Sequence, residues 1–541
     1  MTAVRAWLLF AVAACLRAQV PFERLVNAVK EPQNWLTHSG TYNGWQHSTL
    51  DQITRENAGS LRVQWIFQSR TAEKFETTPL VVDGVMYLTE PPNNVLALDA
   101  ATGRAFWEFT YRPAPSTRLC CGVLNRGLAI LDDTLFMGTV DGYLLAIDSK
   151  SGKLEWKTHV ADYTKAYALT HAPLVVKNKV IVGPAGGEYG IRGFLAAYDA
   201  RTGNEVWRFN TVPGPGESGH ETWGGDSWKN GGAPIWTTGT YDPDLNLIYW
   251  GTGNPGPDYN GDVRPGDNLY SSSVVALDAD TGKLIWHYQF TPHDEWDWDS
   301  SEVPVLVDME WQGRSRKLLL MANRNGFFYT LDRVTGRFLQ AKAFVKQTWN
   351  GGFDENGRPI RLPNVSPTKE GRVMFPGQQG GTNWYNPSYS PRTEMFYIPA
   401  WVDYYTTYNK FEPEYVPGRQ YTGGAPRSDV LGGSRDTRLI HTRVEGGYGA
   451  VRALDALTGE LRWEFKMGDV TDGGILTTAA DLLFTGNRDQ YFYALDARNG
   501  ALLWKIYLGG NIRSGAMSYQ AGGKQYIAVA AGSGLFTFAI R

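Results

Sequence analysis

Cysteine, long hydrophobic runs and net charge are all scarce in this chain. Three cysteines occur among 541 residues, and no Cys-x-x-Cys-His sequence is present. A covalently attached c-type haem of the usual kind is therefore not expected on this chain. The formal net charge is -3, and acidic and basic residues are interspersed. This balance argues against nucleic acid and other large polyanions as partners.

One long apolar run lies at the N terminus, where Arg5 precedes the segment from Ala6 to Leu16. The run is too short to span a bilayer, and Ala18 offers a small residue for cleavage. Residues 1–18 are therefore predicted to be a signal peptide, which places the mature chain in the periplasm. A lipoprotein signal is the alternative, because the segment from Val12 to Cys15 fits a sequence in which Cys15 becomes lipidated.

Glycine and aromatic residues, in contrast, are abundant. The chain has 61 glycines, 20 tryptophans, 28 tyrosines and 23 phenylalanines, and 42% of its residues are hydrophobic. Many turn-forming glycines together with large aromatic side chains favour an all-β protein with a sizeable core.

A short sequence pattern recurs seven times along the chain. An aliphatic or aromatic residue precedes an aspartate, a glycine follows four residues later, and a tryptophan usually follows the glycine by four more. The aspartates are Asp99, Asp148, Asp199, Asp278, Asp332, Asp455 and Asp496. The first three are about 50 residues apart, which is the length of one four-stranded propeller blade.

The pattern has a physical explanation in a tight turn between two strands. The glycine can adopt a positive φ angle, and the aspartate side chain can accept hydrogen bonds from the backbone of the turn. The tryptophan on the outer strand can then pack over the turn of the next blade. A ring of such indoles is expected to join blade to blade.

The interval between Asp332 and Asp455 is too long for one blade, and Pro387 to Tyr397 is interpreted as part of an additional blade without the full pattern. Seven patterns and this segment predict an all-β, eight-bladed β-propeller with tryptophan-docking blade repeats. Residues 19–541 are expected to form this single domain. The strand from Gly534 to Phe538 is expected to pair with the region from Leu61 to Phe67 and close the ring.

Two long segments rich in Gly, Pro, Asn and Trp interrupt the repeats. They run from Val212 to Trp236 and from Trp349 to Gly381. Because long ordered loops of this kind are usually functional, both are expected to cover a site at one end of the central channel.

Several motifs resemble, in the same order, those of the methanol and ethanol dehydrogenase family of quinoproteins, which use pyrroloquinoline quinone (PQQ). The motifs are Cys120-Cys121, Gly187-Glu188 with Gly190 to Gly193, Gly251 to Pro255, and Pro292 to Asp297. The resemblance extends from about Val20 to the C terminus. It implies oxidation of small primary alcohols to aldehydes, with hydride passing to PQQ and electrons passing on to a separate soluble c-type cytochrome.

The resemblance implies that Glu188, Asn254 and Asp297 are metal ligands. All three offer oxygen atoms, which suits a hard cation such as Ca²⁺. Asp297 also matches the catalytic base of the family, which accepts the hydroxyl proton while the metal acts as a Lewis acid. Arg324 matches a residue that hydrogen-bonds both the quinone and the base, and a salt bridge in a blade turn is its alternative role.

Asp299 suggests a different metal. Calcium-dependent relatives typically carry a small uncharged residue two positions beyond the catalytic aspartate, whereas lanthanide-dependent members resemble this chain in having a second aspartate there. A trivalent ion needs more anionic oxygen than Ca²⁺, so the resemblance implies a lanthanide(III) ion. The alternative is that Asp299 is a solvated loop acid beside a calcium site.

A flat tricarboxylate such as PQQ needs planar surfaces on its faces and hydrogen-bond donors around its edge. Trp236 matches the tryptophan that stacks on the ring in the family. The other residues assigned to cofactor contacts are Glu76, Cys120, Cys121, Arg126, Thr170, Gly186, Gly187, Arg324 and Asn383. Ala185 and the segment Val470 to Asp472 depart from the pattern of methanol-oxidising relatives, which makes methanol a doubtful preferred substrate.

Two neighbouring cysteines in an exported chain predict a disulfide between Cys120 and Cys121, with two free thiols as the alternative. A non-catalytic periplasmic scaffold propeller is a rival function, although such a scaffold has no use for a set of oxygen ligands beside a cysteine pair. Membrane-bound sugar dehydrogenases are a second rival, but they carry N-terminal transmembrane helices that are absent from this sequence. The sequence does not decide whether the chain forms a homodimer.

Overall fold

The computed structural model describes residues 20–71, 74–427 and 442–540. The predicted signal peptide and Cys15 lie outside the described residues. Within these ranges, no helix is long and apolar enough to cross a membrane.

Helical structure is confined to short segments. One α-helix, α1, spans Phe22–Val26. The 3-10 helices of the described chain span Ala28–Lys30, Ala58–Ser60, Tyr163–Lys165, Gly187–Tyr189, His220–Thr222, Ser227–Asn230 and Gly261–Val263.

Strands make up the rest of the regular structure, in agreement with the predicted all-β class. In the first half they are β1 (His47–Ser48), β2 (Arg62–Gln68), β3 (Leu80–Val82), β4 (Val85–Glu90), β5 (Asn94–Asp99), β6 (Ala105–Phe109), β7 (Ala129–Leu131), β8 (Thr134–Gly138), β9 (Tyr143–Asp148), β10 (Leu154–His159), β11 (Leu174–Val176), β12 (Lys179–Val182), β13 (Phe194–Asp199), β14 (Glu205–Asn210), β15 (Thr240–Asp242), β16 (Leu247–Gly251), β17 (Ser273–Asp278) and β18 (Leu284–Gln289). In the second half they are β19 (Val305–Trp311), β20 (Arg314–Ala322), β21 (Phe327–Asp332), β22 (Phe338–Ala343), β23 (Asn350–Phe353), β24 (Pro359–Arg361), β25 (Arg372–Met374), β26 (Ser388–Ser390), β27 (Met395–Lys410), β28 (Gly424–Arg427), β29 (Thr442–Asp455), β30 (Leu461–Met467), β31 (Leu476–Thr478), β32 (Leu482–Gly486), β33 (Tyr491–Asp496), β34 (Leu502–Tyr507), β35 (Met517–Ala521), β36 (Lys524–Ala531) and β37 (Gly534–Ala539).

In the described chain these strands form eight sheets of four or more strands and one two-stranded sheet, β23-β24. Six sheets have four strands: β2-β37-β36-β35, β3-β4-β5-β6, β7-β8-β9-β10, β11-β12-β13-β14, β15-β16-β17-β18 and β19-β20-β21-β22. A five-stranded sheet has the order β1-β31-β32-β33-β34, and a six-stranded sheet is built on β25-β27-β29-β30 with β26 and β28 paired to β27. This arrangement is compatible with the eight predicted blades.

The indoles of the repeats pack over the turns of neighbouring sheets, which confirms the predicted docking. Five of them donate their Nε1–H to a backbone carbonyl beside the next turn at 3.0–3.2 Å, namely Trp107, Trp156, Trp207, Trp286 and Trp463. Trp65 of β2, which lies outside the repeats, makes the same contact with the Ala100 carbonyl oxygen at 3.2 Å. A Cβ on Gly282, which has φ +70°, would lie 2.5 Å from the Trp207 ring. Only glycine therefore lets the indole lie flat on the turn.

The β19–β22 sheet lacks this tryptophan, and Gln340 stands in its place. Its Nε2 donates to the carbonyl oxygen of Leu457 at 2.8 Å, which reproduces the hydrogen bond without the indole's packing area. The contact between this sheet and the next therefore has a side-chain hydrogen bond but no docked indole from the repeat.

The predicted composition of the eighth blade is wrong. Strand β26, which falls in the segment from Pro387 to Tyr397, pairs with β27, and β27 pairs with β29 of the Asp455 repeat. Both regions therefore belong to one sheet. The long interval arises because β27 has 16 residues and extends beyond the blade, where it pairs with β25 and β28.

The sheet without the repeat pattern is instead made by the two ends of the chain. Strand β2 pairs antiparallel with β37, from Arg62 with Ala539 to Gln68 with Gly534. This confirms the predicted pairing of the C-terminal strand with the Leu61 to Phe67 region. In the other large sheets the Asp-x-x-x-Gly pattern lies in the turn between the last two strands of the sheet. Here the corresponding strands are β37 and β2 from opposite ends of the chain, and no turn connects them, so the pattern could not reveal this sheet.

Candidate active site

The segment after β18 brings two aspartates to one place. Asp294 accepts hydrogen bonds from the backbone N–H groups of Trp296 and Trp298, and both indoles are fully buried. Asp297 lies between them in the left-handed region at φ +61°, a conformation that costs free energy for a non-glycine residue. The buried indoles hold this turn, so that Asp297 and Asp299 both reach Arg324.

Arg324 follows β20 and links the two aspartates. Its Nη1 donates to Asp299 Oδ2 at 2.5 Å, and its Nη2 lies 4.0 Å from Asp297 Oδ2. The guanidinium also donates to the backbone oxygen of Gln378 at 2.7 Å. Burial opposes the charge of Arg324, but Asp299, Asp297 and Glu302 together raise its pKa above the ordinary value.

Asn254 lies directly behind Asp299. Its backbone N–H donates to Asp299 Oδ1 at 2.7 Å. This approach depends on Gly253, because a Cβ at that position would lie 2.5 Å from Asp299 Oδ1. The predicted ligands Asn254 and Asp299 are therefore held in contact by the backbone.

Glu188 comes from a 3-10 turn that begins with two predicted cofactor residues. Gly186 has φ +121°, and a Cβ there would lie 2.4 Å from the Ala166 carbonyl oxygen. A Cβ on Gly187 would be 3.2 Å from Asn254 Oδ1, so this turn packs closely against Asn254. The glycines thus bring Glu188 to the same pocket as the other three oxygen donors.

These carboxylates repel one another in a buried region. Burial is the largest cause of the raised pKa values of Glu188, Asp297 and Asp299. Arg324 lowers the pKa of both aspartates, whereas Asp299 and Glu188 raise that of Asp297 further. Buried carboxyl groups that lie this close to one another favour the binding of a cation, because the cation offsets their mutual repulsion.

Four predicted cofactor residues form a second cluster beside the first. Arg126 Nη2 lies 3.0 Å from Glu76 Oε2, and its Nη1 donates to Thr170 Oγ1 at 3.4 Å and to the Trp236 carbonyl oxygen at 3.3 Å. The guanidinium carbon is 5.1 Å from the centre of the Trp236 ring. The Trp236 side chain also lowers the pKa of Asp299, which relates the two clusters.

Asn383 is buried, but its side chain does not contact the other predicted residues. Its Nδ2 donates to the backbone and side-chain oxygens of Gln379 at 3.0 and 3.2 Å. Its neighbour Trp384, which the sequence analysis missed, is 4.4 Å from the Arg126 guanidinium carbon. Arg126 therefore contacts two indoles, Trp236 and Trp384. Adjacency to Asn383 was the available sequence signal for Trp384.

The Sγ atoms of Cys120 and Cys121 lie 2.6 Å apart, and both cysteines are exposed and free. The predicted disulfide is thus not formed in the structure and stays a prediction. Together with a carboxylate oxygen of Glu188, both sulfur atoms fall within 4.8 Å of one another. The cysteine pair therefore borders the acidic pocket, as its assignment to the cofactor site requires.

Both predicted covering loops contribute residues to the pocket. The first ends in Trp236, and the second supplies Gln378, whose Nε2 donates to Asp297 Oδ2 at 2.7 Å. Tyr259 adds a hydroxyl 3.4 Å from the same oxygen. Neither Gln378 nor Tyr259 was identified from the sequence, because neither belongs to a motif and the fold alone brings them to Asp297.

Comparison with known proteins agrees with this geometry. The sequence profile described as glucose/ethanol/alcohol dehydrogenase, β-propeller domain, matches residues 35–341 and 465–527. Quinohemoprotein alcohol dehydrogenase ADH IIB of Pseudomonas putida is 38% identical over 517 residues, which cover 92% of this chain and 73% of that protein. The chain belongs to the PQQ-dependent alcohol dehydrogenase family.

Other members of the PQQ-dependent alcohol dehydrogenase family match over most of the chain as well. The lanthanide-dependent methanol dehydrogenase of Methylacidiphilum fumariolicum (strain SolV) is 37% identical over 542 residues, which cover 95% of this chain and 87% of that protein. A europium-containing methanol dehydrogenase structure superposes with a TM-score of 0.89 at 33% identity, covering 96% of this chain and all of that chain. Membership of this enzyme family favours a PQQ-dependent alcohol dehydrogenase over a non-catalytic scaffold.

Proposed function

We propose that the chain oxidises primary alcohols to aldehydes with PQQ and a metal ion bound between the two clusters. The observation that carries this proposal is the convergence of Glu188, Asn254, Asp297 and Asp299 on one pocket around Arg324. All four offer oxygen atoms, which matches a hard cation rather than zinc or copper.

The residues present fit a flat polyanionic cofactor. Among the described residues, the buried Nε atoms of Arg126 and Arg324 have no hydrogen-bond partner, so each guanidinium retains a donor for a carboxylate or carbonyl oxygen. Trp236 and Trp384 provide planar surfaces. We infer that Arg126, Glu76 and Thr170 hold the edge of PQQ and that Trp236 lies against its ring. When bound, PQQ supplies a quinone that accepts hydride, and the metal polarises it.

Asp297 is the residue proposed to take the proton from the alcohol hydroxyl. Gln378 and Tyr259 fix its Oδ2, and Arg324 lies close enough to stabilise its charge before the proton arrives. With PQQ bound, Asp297 would accept the hydroxyl proton of the alcohol while the quinone would supply the hydride acceptor, so that an aldehyde would remain.

Asp299 is proposed to favour a lanthanide(III) ion over Ca²⁺, because it adds a fourth oxygen ligand and a further negative charge. Support comes from its contact with Asn254 and from the family likeness to a lanthanide-dependent relative. La³⁺ or Ce³⁺ should then support faster alcohol oxidation than Ca²⁺, since a trivalent ion is also the stronger Lewis acid.

The test is reconstitution of the purified protein with PQQ and either La³⁺ or Ca²⁺, followed by a dye-linked assay over a panel of primary alcohols. Asp299→Ala should lose lanthanide-supported activity at least tenfold and Asp297→Asn should lose activity with both metals. Asp226→Ala, an exposed acid on a covering loop, should match the wild type. Activity that is equal or higher with Ca²⁺, unchanged in Asp299→Ala, would contradict the metal assignment.

The remaining proposals concern the cellular setting. The chain is proposed to be exported to the periplasm as a single eight-bladed domain over residues 19–541 and to pass electrons to a separate soluble c-type cytochrome. Cell fractionation and reduction of cytochrome c by alcohol-treated protein test these points, and alkylation of unreduced, denatured protein tests the cysteine pair. Two alkylated thiols would rule out the disulfide.

A further inference from the structure

Asp258 is a buried carboxylate that the proposed reaction leaves without a role. It lies four residues after Asn254, in the segment between β16 and β17, and its exposed fraction is 1%. Within the described residues, its Oδ1 has no hydrogen-bond partner. Burying a carboxylate oxygen in this way costs several kcal/mol unless a cation or a donor compensates for it.

Geometry places this carboxylate beside the proposed metal ligands. The hydroxyl of its neighbour Tyr259 lies 3.4 Å from Asp297 Oδ2, and Arg264 donates to the backbone oxygens of both Asp258 and Asp294. Asp297, Glu188, Asp299 and the side chain of Asn254 all act on the charge of Asp258. Burial raises its pKa, and Asp297 raises it further.

No arginine side chain of the described chain hydrogen-bonds the Asp258 carboxylate. Arg264 is fully buried, but it donates to the backbone oxygens of Pro257, Asp258 and Asp294 and to Asn268 Oδ1. Arg324 is engaged by Asp299 and by the Gln378 carbonyl oxygen. The charge of Asp258 raises the pKa of Arg264, yet its Oδ1 has no hydrogen-bond partner among the described residues.

The charges of the pocket suggest what compensates for it. Glu188, Asp258, Asp297 and Asp299 carry four negative charges against the one positive charge of Arg324. Asp258 therefore adds one more negative charge to a pocket in which Asp299 is already proposed to favour a trivalent ion. Glu302 is a further buried acid; burial raises its pKa, Arg324 lowers it and Asp299 raises it.

We propose that Asp258 is an additional carboxylate of the metal pocket and increases its selectivity for a trivalent cation over Ca²⁺. This inference rests on the proposed metal-dependent function. The extra charge adds more to the binding of a trivalent than of a divalent ion, because the Coulomb energy is proportional to the charge of the ion. Asp258 acts together with Asp299, which is hydrogen-bonded by Arg324.

The experiment titrates the full-length protein with Tb³⁺, whose luminescence is sensitised by nearby tryptophans, and measures Ca²⁺ by competition, with and without PQQ. Asp258→Asn should weaken Tb³⁺ binding at least tenfold and Ca²⁺ binding several-fold less. The matched control is Asp262→Asn in the same segment, because Asp262 is exposed and paired with Lys410. This control should bind both ions as the wild type does.

Thermal unfolding gives a second measurement. Asp258→Asn should raise the melting temperature of the metal-free protein, because it removes a buried repulsive charge, and it should reduce the additional stabilisation by Tb³⁺. Wild-type Tb³⁺ affinity and selectivity in Asp258→Asn, or a less stable metal-free variant, would overturn the role of Asp258. Failure of the wild type itself to bind Tb³⁺ or Ca²⁺ would instead overturn the proposed function.

Discussion

At the scale of single residues, buried ionisable groups show how the environment sets the chemistry. Asp297 and Asp299 are separated by one residue, yet Asp299 is hydrogen-bonded by Arg324 and a backbone N–H, whereas Asp297 is contacted by neutral donors and lies 4.0 Å from the guanidinium. Asp297 is paired more weakly with the guanidinium and is therefore the better proton acceptor. Asp299 is held more firmly and is therefore better suited to be a metal ligand.

Arg126 provides a test of cofactor recognition. Arg126→Lys keeps the charge beside Glu76 but loses the planar contacts with Trp236 and Trp384, and fewer donors remain. The affinity for PQQ should fall by about tenfold or more, since a desolvated cation–π contact is worth about 1–2 kcal/mol. Titration of the absorbance of PQQ measures this. The exposed Arg70→Lys should change nothing, and equal loss in both variants would remove the assignment.

The buried side chain of His47, which lies outside the active site, predicts that the folded protein is less stable at acidic pH. Its Nδ1 lies 2.8 Å from Thr477 Oγ1, and burial, with Arg392 adding to it, lowers its pKa to about 4. The unfolded chain takes up a proton near pH 6.5 and the folded chain does not, so stability is lost as the pH falls from 6.5 towards 4. At pH 5 this costs about 2 kcal/mol.

The urea midpoint at pH 7 and pH 5 measures that loss. His47→Asn should show a smaller decrease between the two pH values, because asparagine keeps a polar contact and does not titrate. The exposed His159→Asn is the control and should decrease as the wild type does. An identical decrease in all three proteins would show that His47 does not contribute.

At the scale of elements, the tryptophan that docks on the next turn is the unit that repeats. Trp207 is 7% exposed and donates to the Ala279 carbonyl oxygen at 3.2 Å. Trp207→Ala should lower the free energy of unfolding by about 3–5 kcal/mol, because it leaves a cavity between two sheets. Trp207→Phe should cost less but lose the hydrogen bond, worth about 1 kcal/mol.

The contact that Gln340 makes between two sheets is the matched comparison for Trp207. Gln340→Ala removes two hydrogen bonds, to the Leu457 carbonyl oxygen and to Thr330 Oγ1, but no indole packing, so a loss of about 1–2 kcal/mol in the free energy of unfolding is expected. Urea denaturation monitored by circular dichroism compares the three variants. If Gln340→Ala were as damaging as Trp207→Ala, packing of the indole would not be what joins the sheets.

At the scale of the whole molecule, the pairing of β2 with β37 joins the two ends of the chain in one sheet. Deleting residues 533–541 removes β37, exposes the edges of β2 and β36, and uncovers the core around Leu535 and Phe538, which are fully buried. Burial of each such side chain stabilises the folded protein by about 1.5–3 kcal/mol. The truncated protein should aggregate, because unpaired strand edges pair with other chains.

Size-exclusion chromatography distinguishes the outcomes of this truncation. A control that lacks only residue 541 should elute as the full-length protein does, since that residue lies beyond β37. A monomeric, fully folded product of the longer deletion would show that the β2–β37 pairing is dispensable.

The sequence by itself determined the all-β class, the repeat and the docking tryptophans, and its resemblance to the quinoprotein family supplied most of the pocket residues as predictions. The repeat is a local feature, because an Asp-x-x-x-Gly turn specifies its own geometry. Only the tertiary structure decided that the sheet without the pattern is built from both ends of the chain and that Pro387 to Tyr397 belongs to the Asp455 sheet. It also decided the positions of Gln378, Trp384 and Asp258 in the pocket. Their roles depend on which side chains surround them, and those neighbours come from distant parts of the chain that meet only when the sheets close on one another.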